Sequence, residues 1–257
     1  MKFTGLVLCA FKASILAHAA PTTNCAKPPY FITTGDSTVA TGGGWGDGLM
    51  SFLTNSAAGV NTAKNGATTV SFRDEGLWDT SIAAVKTNSQ EYSPIVTIQF
   101  GHNDQKPEKN ISLAQYQQNL ETMAREVQNA GGTPTNMINQ ILVTSLTRRR
   151  FRDGKVVENL VDQRSLTIAA AAAVGIDVLD LNKASTDYIN AIGDANATFY
   201  DMEADDKTHL SAGGKIVFGR MVADLLLRER EDLAVFFEEN TVLSDKIWAG
   251  EFATGSE

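Results

Sequence analysis

The sequence is short of whatever staples, anchors or charges a protein for a special partner. It has two cysteines; Cys9 falls in an N-terminal stretch that reads as a removable leader, leaving Cys25 alone, so no internal disulfide is expected and stability must come from packing. Basic residues are outnumbered, with 22 Lys and Arg against 30 Asp and Glu for a net charge of −8. A nucleic acid or an anionic membrane needs a basic surface that releases counterions, so both are excluded as partners. Beyond the leader, no apolar run approaches the roughly 18 residues of a membrane span. No G-x-S-x-G elbow is present, which removes the common α/β-hydrolase reading. Gly42, Gly43, Gly44, Gly46 and Gly48 crowd one stretch, but their spacing fits no dinucleotide fingerprint. Histidine is scarce as well, at three residues. With His102 and His209 on separate loops and no third nitrogen or sulfur ligand nearby, a zinc site is poorly supported, and neither metal nor cofactor is expected.

What is present begins with "MKFTGLVLCAFKASILAHAA". Lys2, an apolar run and Ala17-His18-Ala19 form the pattern of a secretory signal over residues 1–19. The remainder, 20–257, has the length of one large α/β domain, with an extension from about 240 expected to pack on the surface. Asn110-Ile111-Ser112 and Asn196-Ala197-Thr198 are sequons that fit a secreted, glycosylated protein.

Apolar, β-rich segments alternate with longer helical patterns, which predicts a parallel sheet flanked by helices. Strands are expected at Tyr30–Thr34, Gly59–Lys64, Pro94–Phe100, Ile141–Thr144 and Ile176–Leu181. Leu113, Tyr116, Leu120, Met123 and Val127 recur at steps of three and four, a helix over 113–128 closed by Gly131 and Gly132. Further helices are expected around Leu49, over Leu160–Val174 and over Ala212–Leu227. Loops at the carboxyl ends of parallel strands form the ligand crevice. They carry Gly35-Asp36-Ser37-Thr38, Asn65-Gly66 and Gly101-His102-Asn103-Asp104.

A hydroxyl is a weak nucleophile and needs a base, most often histidine. His18 leaves with the leader, so His102 and His209 compete. Asp206 stands three residues before His209, an offset at which a carboxylate can hold the imidazole tautomer; Asp205 competes with it. His102 has only Asp104 close by. Taken alone, Gly-Asp-Ser is a common turn and Asp-x-x-His a common surface pair.

Together these blocks resemble the SGNH or GDSL hydrolases, and within them the rhamnogalacturonan acetylesterase branch, over roughly Tyr30 to Leu227. "GDST" is similar to the first family block, "NGATTVSF" to the second, "GHND" to the third and "DKTH" to the last; "GGGWGDGL" and "TSLTRRRF" are further local likenesses. The resemblance implies a three-layer α/β/α sandwich with a flavodoxin-like five-stranded parallel sheet. It implies Ser37, Asp206 and His209 as the catalytic residues, and the N–H groups of Ser37 and Gly66 with the Asn103 amide as oxyanion donors. Gly66-Ala67-Thr68 lacks an arginine common in that branch, and 135–140 reads as an insertion before the fourth strand.

The expected activity is therefore that of a secreted, monomeric serine esterase deacetylating a plant cell-wall polysaccharide, acetylated rhamnogalacturonan first. Acetylxylan, short-chain esters or a decayed carbohydrate-binding site are the alternatives. In "TRRRFRDGK", Arg148 and Arg149, with Arg150, Arg152 and Lys155 behind them, are candidates for meeting galacturonate carboxylates, since guanidinium forks bind carboxylates bidentately. The competing reading is a solvated charge run. His102 is a further candidate for touching substrate.

Overall fold

The computed structural model describes residues 27–130 and 139–257. The leader, Cys25, the Gly131-Gly132 pair and most of the 135–140 insertion lie outside those residues. Five strands, β1 (Pro29–Gly35), β2 (Ala58–Asn61), β3 (Ser93–Gln99), β4 (Asn139–Val143) and β7 (Asp177–Leu179), form one parallel sheet in the order β2-β1-β3-β4-β7. A two-residue-per-strand hairpin, β5 (Phe151–Arg152) with β6 (Lys155–Val156), stands apart.

Neighbouring residues on these strands bury opposite ways. Phe31, Ile95, Ile141 and Val143 join one core cluster, while Ile32, Val96, Ile98 and Leu142 join the other. A sheet covered on both faces has no polar side to alternate with, which is why its strands read as continuous apolar runs. The first cluster is completed by α1 (Gly46–Met50), α6 (Leu181–Ala197), α7 (Ala212–Glu229) and α8 (Thr241–Ala249). The second is completed by α3 (Leu77–Asn88), α4 (Leu113–Ala130) and α5 (Val161–Val174), with the single turn α2 (Ser71–Asp74) leading into α3. The result is the expected three-layer sandwich.

Helix ends follow local chemistry. The α4 stripe Tyr116, Leu120, Met123 and Val127 is buried on the sheet. Gly175, left-handed at φ 74°, closes α5 where a side chain would be strained. Ser211 Oγ accepts from the Gly214 N–H at 3.2 Å and opens α7. The expected strand at 176–181 is shorter because Asp180 turns the chain into α6, its carboxylate accepting from the Lys183 N–H. The glycine-rich stretch does more than turn: a Cβ on Gly48 would lie 1.9 Å from the Lys215 carbonyl oxygen, so glycine lets α1 press against α7. The extension after 240 is also more than a surface appendage, since Leu243, Ile247 and Ala253 enter the first core cluster.

This order places the functional loops. From β1 the chain passes to β2 on one side and then returns to β3 on the other. The loops leaving β1 and β3 therefore diverge and open a crevice at the topological switch point. Ser37 and Asn103 follow those two strands.

Candidate active site

Ser37 follows β1 at the sheet edge and is 6% exposed. Its loop is braced from inside. Asp36, fully buried, accepts through Oδ1 from the Thr38 N–H at 2.9 Å and the Thr38 hydroxyl at 2.8 Å. Gln99 donates to Thr38 Oγ1 at 2.6 Å and accepts from the Trp45 indole N–H at 2.9 Å. Burial pushes the Asp36 carboxyl up from its ordinary value, with the two Thr38 hydrogen bonds opposing. Asp36 is thus part of the frame that aims its neighbour.

The loop from Asp201 to Leu210 supplies the partner. His209 Nε2 lies 2.8 Å from Ser37 Oγ, and His209 Nδ1 lies 2.8 Å from Asp206 Oδ2. Nδ1–H therefore donates to the carboxylate, leaving Nε2 to accept from the serine hydroxyl. Asp206 Oδ1 accepts from the N–H groups of Thr208 at 3.0 Å and His209 at 2.9 Å. Partial burial alone would raise the Asp206 carboxyl, but these bonds and the imidazole hold it below its ordinary value. Asp205, at a strained φ of 64°, is exposed and takes no part. Gly43 fits beneath: its carbonyl accepts from the Leu210 N–H at 2.8 Å, and a Cβ there would meet His209 Cβ at 3.1 Å. This geometry can pass the hydroxyl proton to the ring as the oxygen attacks an acyl carbon.

Two further loops converge on the serine side. Asn103, 5% exposed, donates through Nδ2 to the Ala67 carbonyl at 3.0 Å, which ties the loop after β3 to the loop after β2. Gly66 adopts φ 77°, the left-handed region that favours glycine. Among the described residues, the N–H groups of Ser37 and Gly66 enter no backbone hydrogen bond. Asp104 anchors the arrangement from below, accepting from the Thr69 N–H at 2.9 Å and hydroxyl at 2.6 Å. Burial pushes its carboxyl up to about 6, with the Thr69 bonds opposing.

A sequence model of the GDSL-like lipase/acylhydrolase family matches residues 32–215. The chain belongs to that family. This GDSL hydrolase is 30% identical over 218 residues to rhamnogalacturonan acetylesterase RhgT of Bacillus subtilis, covering 77% of this chain and 89% of that protein. It is 25% identical over 202 residues to the probable rhamnogalacturonan acetylesterase YesY of the same organism, covering 74% and 88%. Among solved structures, a Bacillus subtilis protein, YXIM, superposes with a TM-score of 0.67 at 22% identity, covering 82% of this chain and 59% of that longer one. A catalytic mutant of the acetylxylan esterase Axe2 of Geobacillus stearothermophilus superposes at 0.57 and 17% identity, covering 79% and 94%. Together they establish a carboxylic ester hydrolase on the expected fold.

Some residues of this GDSL hydrolase sit elsewhere than expected. Arg149 is 1% exposed, its Nε and Nη2 donating to Asp201 and to loop carbonyls, so the expectation that it meets substrate is corrected. His102 is corrected likewise: it is 2% exposed, and its Nε2–H donates to the Leu146 carbonyl at 2.8 Å, turning the ring inward. Burial, aided by the Arg148 charge, pulls its pKa down to about 3. The ring is neutral, and the Ser37 hydroxyl is bonded to His209 instead. Arg148 differs from its neighbour. Half-buried, it lies against Thr208 Oγ1 at 3.3 Å and the His102 carbonyl at 3.4 Å, between the His209 loop and the loop after β3. Arg150, Arg152 and Lys155 face solvent, as a charge run would. From the sequence Asp36 is expected to brace the loop through backbone hydrogen bonds, as it does, but the sequence reading missed Trp45 and Gln99 behind it and the clamp of Asp201. A buried glutamine at a strand end was the available signal for the frame. Among the described residues, no group of three or more His, Cys, Asp or Glu side chains could hold a metal, and no helix is long and apolar enough to cross a membrane.

Proposed function

We propose that this chain is a secreted serine esterase that removes acetyl groups from a plant cell-wall polysaccharide, acetylated rhamnogalacturonan first. The observation that carries the reading is His209 bridging Ser37 and Asp206 at 2.8 Å on either side. In the proposed reaction His209 Nε2 takes the Ser37 proton as Oγ attacks the acetyl carbonyl. The imidazolium so formed is stabilised by Asp206 and gives the proton to the sugar oxygen as its bond to the acetyl carbon breaks, so that the sugar leaves as an alcohol and the acetyl group stays on Ser37. Water, activated by the same imidazole, then releases acetate from Ser37. Charge on the tetrahedral oxygen falls to the N–H groups of Ser37 and Gly66 and to the second amide hydrogen of Asn103, the first being held by Ala67.

The substrate class is supported by the names of the two Bacillus relatives, both rhamnogalacturonan acetylesterases. It is also supported by Arg148, whose partly exposed guanidinium beside the His209 loop suits a uronate carboxylate. Secretion and glycosylation rest on the leader pattern and on Asn110 and Asn196, both on exposed positions. Acetate release from acetylated rhamnogalacturonan, with acetylated xylan and p-nitrophenyl acetate alongside, tests the proposal. Wild type should prefer the first, and Ser37→Ala should lose turnover on all three by roughly 10⁶-fold. Retained turnover in Ser37→Ala would refute the mechanism, and a preference for xylan would refute the substrate.

A further inference from the structure

We propose that Arg149 is the positioning residue that sets the register of the Asp206–His209 pair from behind the crevice. Its Nη2 donates to two main-chain carbonyls, that of Asp206 at 3.0 Å and that of His209 at 2.6 Å. One guanidinium therefore grips both ends of the short turn that carries the carboxylate and the imidazole. Nε donates to Asp201 Oδ1 at 2.9 Å, and the Arg149 N–H donates to the Lys207 carbonyl at 2.9 Å. Lys207 Nζ returns to the other Asp201 oxygen at 2.6 Å. At 1% exposure, Arg149 reaches the chemistry only through this loop.

The loop needs such a grip. From Met202 to Thr208 no side chain is buried, so hydrophobic packing does not hold it. Asp205 sits at φ 64°, a left-handed conformation that a non-glycine residue adopts at a cost. The loop closes on itself through Met202 N–H to the His209 carbonyl at 3.1 Å and Asp206 N–H to the Glu203 carbonyl at 3.0 Å; outside it, Leu210 N–H is held by the Gly43 carbonyl on one side and Arg149 supplies the opposing anchor. Charge-assisted bonds from a planar fork fix direction as well as distance, whereas the single ammonium of lysine reaches fewer of these acceptors at once. A misplacement of about 1 Å at a reacting pair can cost on the order of 10²-fold in rate.

The proposal rests on Ser37, Asp206 and His209 acting as a triad, and its test includes a readout independent of turnover. Arg149→Lys and Arg149→Met are compared with wild type in the full chain. The measurements are kcat and KM for p-nitrophenyl acetate, far-UV circular dichroism, and the low-field proton resonance of His209 Nδ1–H. The lysine variant should lower kcat by roughly 10- to 100-fold with KM changed less than about twofold, and should broaden or shift that resonance; methionine should do more. Removing one member of the buried Arg149–Asp201 pair endangers folding. Should methionine fail to fold, Arg149→Lys and the milder Asp201→Asn carry the same expected split. A folded lysine variant with wild-type kcat and an unchanged resonance would overturn the proposal, as would a rise in KM at constant kcat. If wild type shows the resonance but hydrolyses no ester, the esterase reading fails instead, while the resonance still reports whether Arg149 sets the pair.

Discussion

Lowering the pH should expose the buried His102. In the fold its imidazole has its pKa pulled down to about 3 by burial first, then by the Arg148 charge, with smaller contributions from His209 and Lys106; the bond to the Leu146 carbonyl opposes them. The ring is neutral in the native protein at any pH above about 3, whereas the unfolded chain protonates it below 6.5. Between those values the unfolded state binds more protons, so stability falls as pH drops. From pH 7 to pH 5 the loss through this group comes to about 2 kcal/mol. Asp104 acts the other way, because its pKa is raised from 3.8 to about 6; the native state protonates first and gains about 1 kcal/mol over the same interval. The wild-type trend therefore mixes opposing groups, the raised carboxyl of Asp36 among them. The difference between wild type and His102→Gln isolates the histidine, since glutamine keeps an N–H donor for Leu146 and does not titrate. Urea unfolding of both proteins at pH 7, 6 and 5 should show that difference moving by about 2 kcal/mol in favour of the variant. A difference that stays constant would mean that His102 accepts a proton in the fold as easily as in the unfolded chain. That result would refute the account of its burial and reopen it as a rival base to His209.

Asn103→Ala should lower kcat on p-nitrophenyl acetate by roughly 10²- to 10³-fold while leaving KM nearly unchanged, because the donor is needed only as charge develops; an equal loss in KM would contradict the oxyanion role. Gly48→Ala should destabilise the fold by about 1–3 kcal/mol or more in urea unfolding, since the new methyl meets the Lys215 carbonyl at the α1–α7 contact. Arg148→Ala should raise KM on acetylated rhamnogalacturonan more than on acetylated xylan, which lacks the backbone carboxylates. Equal effects on both would remove the uronate contact.

Much of the fold was legible because the signals were local. The spacing of Tyr116, Leu120, Met123 and Val127 announced α4, and the unbroken apolar runs announced strands buried on both faces. Helices α3, α6 and α8 went unread. The buried stripe of α3 is diluted by Ser81, and α6 begins at Leu181, capped by Asp180, directly where a strand was expected to continue. The basic run showed the limit most clearly. Arg148 and Arg149 are adjacent and chemically identical, so no pattern of residue types separates them. Yet one lies half-open beside the crevice and the other is sealed beneath the His209 loop.

By itself the order of residues determined the candidates: one hydroxyl at a strand end, two histidines, and an acid three residues before one of them. Those are matters of composition and short-range spacing. The Asp206 offset and the family resemblance favour His209 over His102, but the contact itself is made only by tertiary structure, because Ser37 and His209 are 172 positions apart and nothing local couples them. Parallel strands bring the loops of β1 and β3 to one edge, and the close glycine contacts of α1 with α7 and of Gly43 with His209 draw the last loop in. Burial then finished the selection by turning His102 inward as a neutral ring and leaving His209 at the surface of the crevice, facing the serine.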